Sequence, residues 1–440
     1  MSNRNLPPTE PRLVLPAMGF AALGMFSLGL ACVVLLVRPD VLTGDPIRGP
    51  VLALTHLITL GWIGPMLFTG AYLLAPVLAE TSLWSVKTPA WHLAFHVSGL
   101  ALLIGGLWAV NYQLAGAGAI LLCAGLALII VNVQMTGNKR SLWTASNIAF
   151  QSSMFWLAVT GSIALYMLRN RAVGGAPVSS ETLIALHAHY ALFGFLTQAL
   201  LGASLRMTPR LLGQEDFVEG HQKFAWAGWT FLNVGLLLLL PSTLAGSFPA
   251  LLITGICIAL GVAGFAAEVV HMLWRARRSI NWGSLTHATG VLLLLGIAIG
   301  VLSRFPQVTL GKSEGIRAWM QLYISLVLLG PFVFVVLGSG ERLVPLIVWK
   351  LRYGPWATHA EVPPPATLGR EAAGGPVYFA LLLAWIYLAM GQIQALPDAV
   401  RVGAILLLIA FAWFFGSIGP ALVRFLLGVT PRELGKLNSP

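Results

Sequence analysis

Twelve apolar runs of about twenty or more residues, separated by short polar segments, constrain this chain more than any other feature. A run of about 20 apolar residues is the length a helix needs to cross the hydrocarbon core of a bilayer. On that measure the helices fall at roughly 13–37, 51–79, 90–110, 113–135, 143–168, 181–206, 221–241, 246–275, 283–303, 315–338, 375–395 and 399–425. Only 9% of the residues are charged, against about 25% in a soluble domain. The pattern predicts an all-α polytopic membrane protein, one transmembrane domain over residues 1–440, in contact with the lipid bilayer.

Charge sets the expected orientation. The N-terminus, the loops after even-numbered helices and the C-terminus carry 18 of the 26 Lys and Arg residues. The positive-inside rule then puts both termini in the cytoplasm of a bacterial-type inner membrane. The net charge of +11 belongs to loops facing anionic lipid, and no basic-aromatic stripe suggests nucleic acid. The N-terminal "MSNRNLPPTEPR" is too polar for a signal peptide. The longest loop, 339–374, contains "EVPPPATLGR" and reads as a Pro-rich, semi-rigid cytoplasmic linker. Cys32, Cys123 and Cys257 lie in separate apolar runs with no CxxC spacing, so they read as small buried residues.

Helix 2 recurs along the chain. A shift of 133 residues lays His56, Gly61, Trp62 and Pro76 on His189, Gly194, Phe195 and Pro209. A shift of 269 reaches helix 10, where Gly61 meets Gly330, Pro76 meets Pro345 and His56 meets Ser325. The equal spacing of helices 2, 6 and 10 predicts three pseudo-repeated four-helix arcs, about 13–135, 143–275 and 283–425.

The nine histidines then sort into two layers. His56, His187 and His189 lie about 8–12 Å below the outer face at 1.5 Å per residue. An imidazole at membrane depth needs a partner and is a functional candidate; the plain alternative is a neutral ring bonded to a helix carbonyl. Two imidazoles from facing helices can hold a heme iron, and no acidic residue in that layer offers a carboxylate site. His187 and His189 are about 200° apart around their helix and serve different sites. The leading arrangement has His56 and His189 as an axial pair, with His187 facing a second site for heme or copper.

The inner layer is more mixed. His92 and His96 share a face at i and i+4 and could bind one metal, or His92 could snorkel to the interface. Glu268 and His271, at i and i+3, are either a structural pair or a proton- or quinol-handling pair, and His287 could join them as a further metal-site candidate. His221 and His359 read as loop residues. The outer arginines Arg48, Arg304, Arg317 and Arg401 are candidates for heme propionates or lipid phosphates.

These residues resemble a known family. Twelve helices with cytoplasmic termini, three arcs and a histidine near the outer end of helix 2 look like the heme-copper oxidase subunit I fold. "THLITLGWIGPMLFTGAYLLAPV" is similar to helix 2 of the nitric oxide reductases and cytochrome cbb-type oxidases, and helix 9, "LTHATGVLLLLGIAIGVLSRF", has a faint likeness to the NO-response heme/copper membrane proteins. The resemblance implies that His56 is an axial ligand of heme b and that His187 or His189 ligates copper. It further implies an oxidoreductase carrying out one-electron transfer or reducing a small gas such as NO or O₂. Cytochrome c, a quinol or another respiratory subunit would be the redox partner. The chain departs from the family in two places: helix 10 lacks the family's H-x-H, and helix 7 reads "LLLLLPST" where an adjacent His pair stands. A standard binuclear center cannot be assembled. A cofactor-free secondary transporter, with Pro65 and Glu268 near its pathway, and a non-catalytic heme subunit of a larger complex are the alternative readings.

Overall fold

The computed structural model of the protein describes residues 11–78, 81–137, 144–173, 178–212, 222–275, 280–309, 313–354 and 362–427. His221 and His359 lie outside them. Twelve helices are long and apolar enough to cross a membrane: Leu13–Val37, Gly49–Leu73, Thr88–Trp108, Tyr112–Gly137, Ala145–Asn170, Ser180–Arg206, Lys223–Ala245, Phe248–Arg275, Trp282–Arg304, Arg317–Tyr353, Glu371–Ile393 and Pro397–Leu426. They are helices 1 to 12 below. The chain is a twelve-helix integral membrane protein. Helical form follows from the solvent, because lipid offers no partner to a free backbone N–H or C=O.

Burial separates the helices into two classes. The most apolar window is 61% buried in helix 2 and 72% buried in helices 6 and 10, against 33–39% in the other nine. Helices 2, 6 and 10 therefore form the centre. Around them, helix 3 pairs with 4, 7 with 8 and 11 with 12. Helix 4 packs on 5, helix 8 on 9 and helix 12 on 1, which closes the ring. Glycines let the hairpins approach: a Cβ on Gly99 would lie 2.7 Å from the Gly118 carbonyl oxygen, and one on Gly228 would lie 2.9 Å from that of Gly261. Dispersion and close backbone contact drive helix association in lipid, where no hydrophobic effect acts between helices.

Each hairpin turns through one left-handed residue: Val110 (φ 57°), Gly246 (φ 60°) and Ala395 (φ 52°). Between helices 1 and 2, Arg38 clamps Asp40 with two bonds of 2.9 and 2.8 Å. That guanidinium holds the Asp40 carboxyl below its usual range.

All three central helices are interrupted. Helix 2 widens to a π segment over Leu57–Ile63, and helix 6 over Tyr190–Thr197. Helix 10 breaks at Gly330 (φ −118°, ψ −94°) before Pro331. The sequence predicts continuous helices here. In helix 2, Pro65 lacks the N–H that would reach the Gly61 carbonyl, and the wider turn directly precedes it. In helix 10, Pro331 likewise cannot donate to the Val327 carbonyl, and the neighbouring Leu326 carbonyl accepts from the Trp385 indole N–H at 3.1 Å.

The segment 339–374 also differs from the linker expectation. Helix 10 continues to Tyr353, carrying Pro345 inside it, because Val348 and Tyr353 bury against Leu368 and Ala421. Glu341, Arg342 and Pro345 make this stretch look like a loop in sequence, yet its apolar face has a partner in helix 12. Beyond it, short 3₁₀ turns at Pro365–Leu368 and Glu371–Ala373 pack back on the bundle, and the Arg370 amide donates to the Ser417 carbonyl at 2.9 Å.

Candidate functional site

Two turns into helices 2 and 6, His56 and His187 come together. Their ring centroids are 6.2 Å apart and the rings are inclined by 30°. Each ring is fixed by one bond. His56 Nδ1–H donates to the Leu52 carbonyl at 2.8 Å, and His187 Nδ1–H donates to the Thr160 carbonyl of helix 5 at 3.2 Å. A carbonyl can only accept, so both rings are protonated at Nδ1 and carry a lone pair on Nε2. Among the described residues, neither Nε2 has a hydrogen-bond partner. A ring held through one nitrogen, with the other free, is the arrangement in which imidazole serves as a metal ligand.

His189 faces elsewhere. Its Nδ1–H donates to the Ala185 carbonyl at 2.7 Å. Its Nε2 accepts from the Tyr323 hydroxyl of helix 10, also at 2.7 Å. Both nitrogens are occupied, and no ring contact joins His189 to His56 among the described residues. The ring that stands beside His56 is that of His187, whereas the repeat aligned His56 with His189. The repeat matches positions along the helix, whereas the direction of a side chain depends on how each helix is rotated against its neighbours. Trp319 packs edge-on against Tyr323 at 5.1 Å and lines, with Arg317, Asp45 and Gln321, a cavity of about 490 Å³.

The arginines that are candidates for heme propionates or lipid phosphates are partly engaged. Arg317 pairs with Glu181 at 2.5 Å and Arg401 with Asp398 at 2.7 Å, while Arg48 is exposed.

At the other end of the bundle His92 and His96 are both fully buried, which corrects the snorkelling alternative for His92. The cause is a cover of Phe20, Phe68 and Tyr72 from helices 1 and 2, each 0% exposed. Glu268 is also fully buried; its carboxylate accepts from the Ala225 amide at 3.3 Å and lies 3.6 Å from His271 Nδ1. Ala225 stands in the first turn of helix 7, where an anion compensates the helix dipole. The carboxylate therefore serves as a cap supplied by helix 8. His287 is not part of that cluster: its Nδ1 bonds to Ser339 Oγ of helix 10 at 2.9 Å. The three cysteines are free, and no group of three or more His, Cys, Asp or Glu side chains gathers in metal-binding geometry among the described residues.

Tyr323, Thr160, Leu52 and Tyr72 are the partners that reading the sequence alone did not find. Thr160 and Leu52 act through backbone carbonyls, which leave no mark in a sequence. Tyr323 did leave one, because the shifts that align helices 6 and 10 place it opposite His187. No protein-family model matches the chain, and no curated protein matches it.

Proposed function

We propose that the protein binds heme b between helices 2 and 6, with His56 and His187 as the axial ligands, and works in one-electron transfer. The observation that carries this reading is the 6.2 Å spacing of two imidazoles whose Nδ1–H groups are anchored and whose Nε2 lone pairs have no partner. A metal–imidazole bond of about 2.0 Å and about 1.1 Å from nitrogen to ring centre put two ligand rings about 6.2 Å apart across one iron. When bound, heme supplies a reversible one-electron couple, tuned by its axial ligands and burial. If His56 and His187 both held the iron, no coordination position would be left for NO or O₂, which favours electron transfer over gas binding. The backbone carbonyls of Leu52 and Thr160 orient the ligands and raise their basicity.

The interruptions near Gly61, Gly194 and Gly330 support the three-arc reading, and with it the oxidase-like architecture. A cofactor-free transporter draws on the same feature, since interrupted central helices also form transport sites. The two readings part on one experiment: the reduced-minus-oxidised absorbance spectrum, with iron quantified, of the full chain purified from heme-replete cells. The expected result is a low-spin bis-imidazole spectrum in the wild type, lost in His56→Ala and in His187→Ala and retained in His189→Ala. Absence of heme from the wild type overturns the proposal and leaves the transporter. Loss in His189→Ala with retention in His187→Ala overturns the ligand assignment.

A further inference from the structure

Two of the imidazoles that the heme reading does not use lie side by side. His92 and His96 stand one turn apart on helix 3, both 0% exposed. Phe20 lies 4.6 and 5.8 Å from their ring centres and Phe68 4.8 and 5.3 Å. His96 Nε2–H donates to the Leu60 carbonyl at 2.8 Å, within the π segment of helix 2. Its Nδ1 therefore carries a lone pair. His92 Nδ1 is 2.8 Å from the Tyr72 hydroxyl. The other two nitrogens, His92 Nε2 and His96 Nδ1, are buried with no hydrogen-bond partner. Buried polar atoms are nearly always paired, and two unpaired ones in one aromatic cage require a reason.

We propose that His92 Nε2 and His96 Nδ1 bind one copper(I) ion. The rings are 5.5 Å apart and perpendicular, at 87°. For an ion about 3.1 Å from each ring centre, that separation gives a bent angle of about 125°, which suits a three-coordinate ion whose third position is open. The ligand chemistry selects the ion. Calcium and magnesium require oxygen ligands, and zinc takes four ligands. The walls are aromatic, and among the described residues no carboxylate or thiolate is bonded to either ring, so a divalent charge would be poorly compensated in this medium. Copper(I) carries one charge and is content with two or three nitrogen ligands. Binding selects the His92 tautomer in which Nδ1–H donates to the Tyr72 oxygen, so Tyr72 becomes the group that orients the ligand. On helix 4, Gly125 leaves room for the ring: a Cβ there would lie 3.1 Å from His92 Cδ2.

The test uses the detergent-purified full chain, loaded anaerobically with copper(I) and competed against a copper(I) chelator. Two substitutions remove only the free nitrogens. His96→Gln keeps a donor for the Leu60 carbonyl, and His92→Asn keeps a partner for Tyr72. The expected result is one tightly held copper per wild-type chain. Each variant should lose affinity by at least about tenfold while remaining monodisperse and keeping any heme band unchanged. Tyr72→Phe should retain one copper with weaker binding. A wild type that takes up no copper, or variants that hold it as tightly as the wild type, overturns the proposal. Loss of heme without loss of copper would instead strike the reading of His56 and His187 and leave this one standing.

Discussion

His187 and His189 stand two residues apart, and helix geometry sends them to different neighbours. That divergence was legible in the "HAH" of helix 6, since a step of two residues turns about 200°. Which ring meets His56 was not legible, because it depends on the rotation of helices 2 and 6 about their own axes. The hydroxyl of Tyr323 makes the consequence measurable. It is buried and donates to His189 Nε2 at 2.7 Å, so Tyr323→Phe leaves the half-buried His189 acceptor without its donor. A loss of about 1–3 kcal/mol is expected, read as a lower midpoint of thermal or denaturant unfolding in detergent, with any spectrum arising from His56 and His187 unchanged. A heme band displaced by that substitution would show that His189 is a ligand after all.

The elements carry a second kind of information, in their irregularities. The π segments start one residue after His56 and one after His189, and the break in helix 10 falls at the glycine aligned with Gly61 and Gly194. Helix 2 shows what an interruption can do. The Leu60 carbonyl, inside the π segment, receives His96 from helix 3 at 2.8 Å. In helix 6 the Leu192 carbonyl is instead taken by the hydroxyl of Thr197 from the same helix, at 2.8 Å. The hairpin turns offer a test of strain. Val110 is β-branched and held at φ 57°, a conformation that disfavours any L side chain by about 1–2 kcal/mol and that glycine adopts freely. Val110→Gly is expected to stabilise the protein, up to about 1–2 kcal/mol less the added entropy of the unfolded chain. The turn at Gly246 already has the favourable residue and serves as the internal comparison. A lower unfolding midpoint in Val110→Gly would show that the Val110 side chain contributes packing worth more than its strain.

Across the whole molecule, a ring of nine helices encloses helices 2, 6 and 10. The imbalance of Lys and Arg between the two sets of loops predicts which end faces the cytoplasm. A fluorescent protein fused to the C-terminus is expected to fold and fluoresce, and a phosphatase inserted at the turn after helix 3 is expected to be active outside. The opposite pair of results would invert the molecule. Inversion would leave the internal geometry intact, because turning the bundle over in the membrane changes no contact within it.

Number, length and approximate limits of the membrane helices were fixed locally, by runs of apolar residues that must satisfy their own backbone hydrogen bonds in lipid. The even spacing of helices 2, 6 and 10 could also be read, because aligned glycines and prolines recur along the chain. The continuation of helix 10 through Glu341, Arg342 and Pro345 could not, since it depends on an apolar face that helix 12 covers. Nor could the burial of His92 beneath Phe20, Phe68 and Tyr72, which come from helices 1 and 2. Sequence places a histidine at a depth; only the packing of one helix against another turns it toward a partner, because rotation about a helix axis costs nothing locally and is set by contacts made far away in the chain.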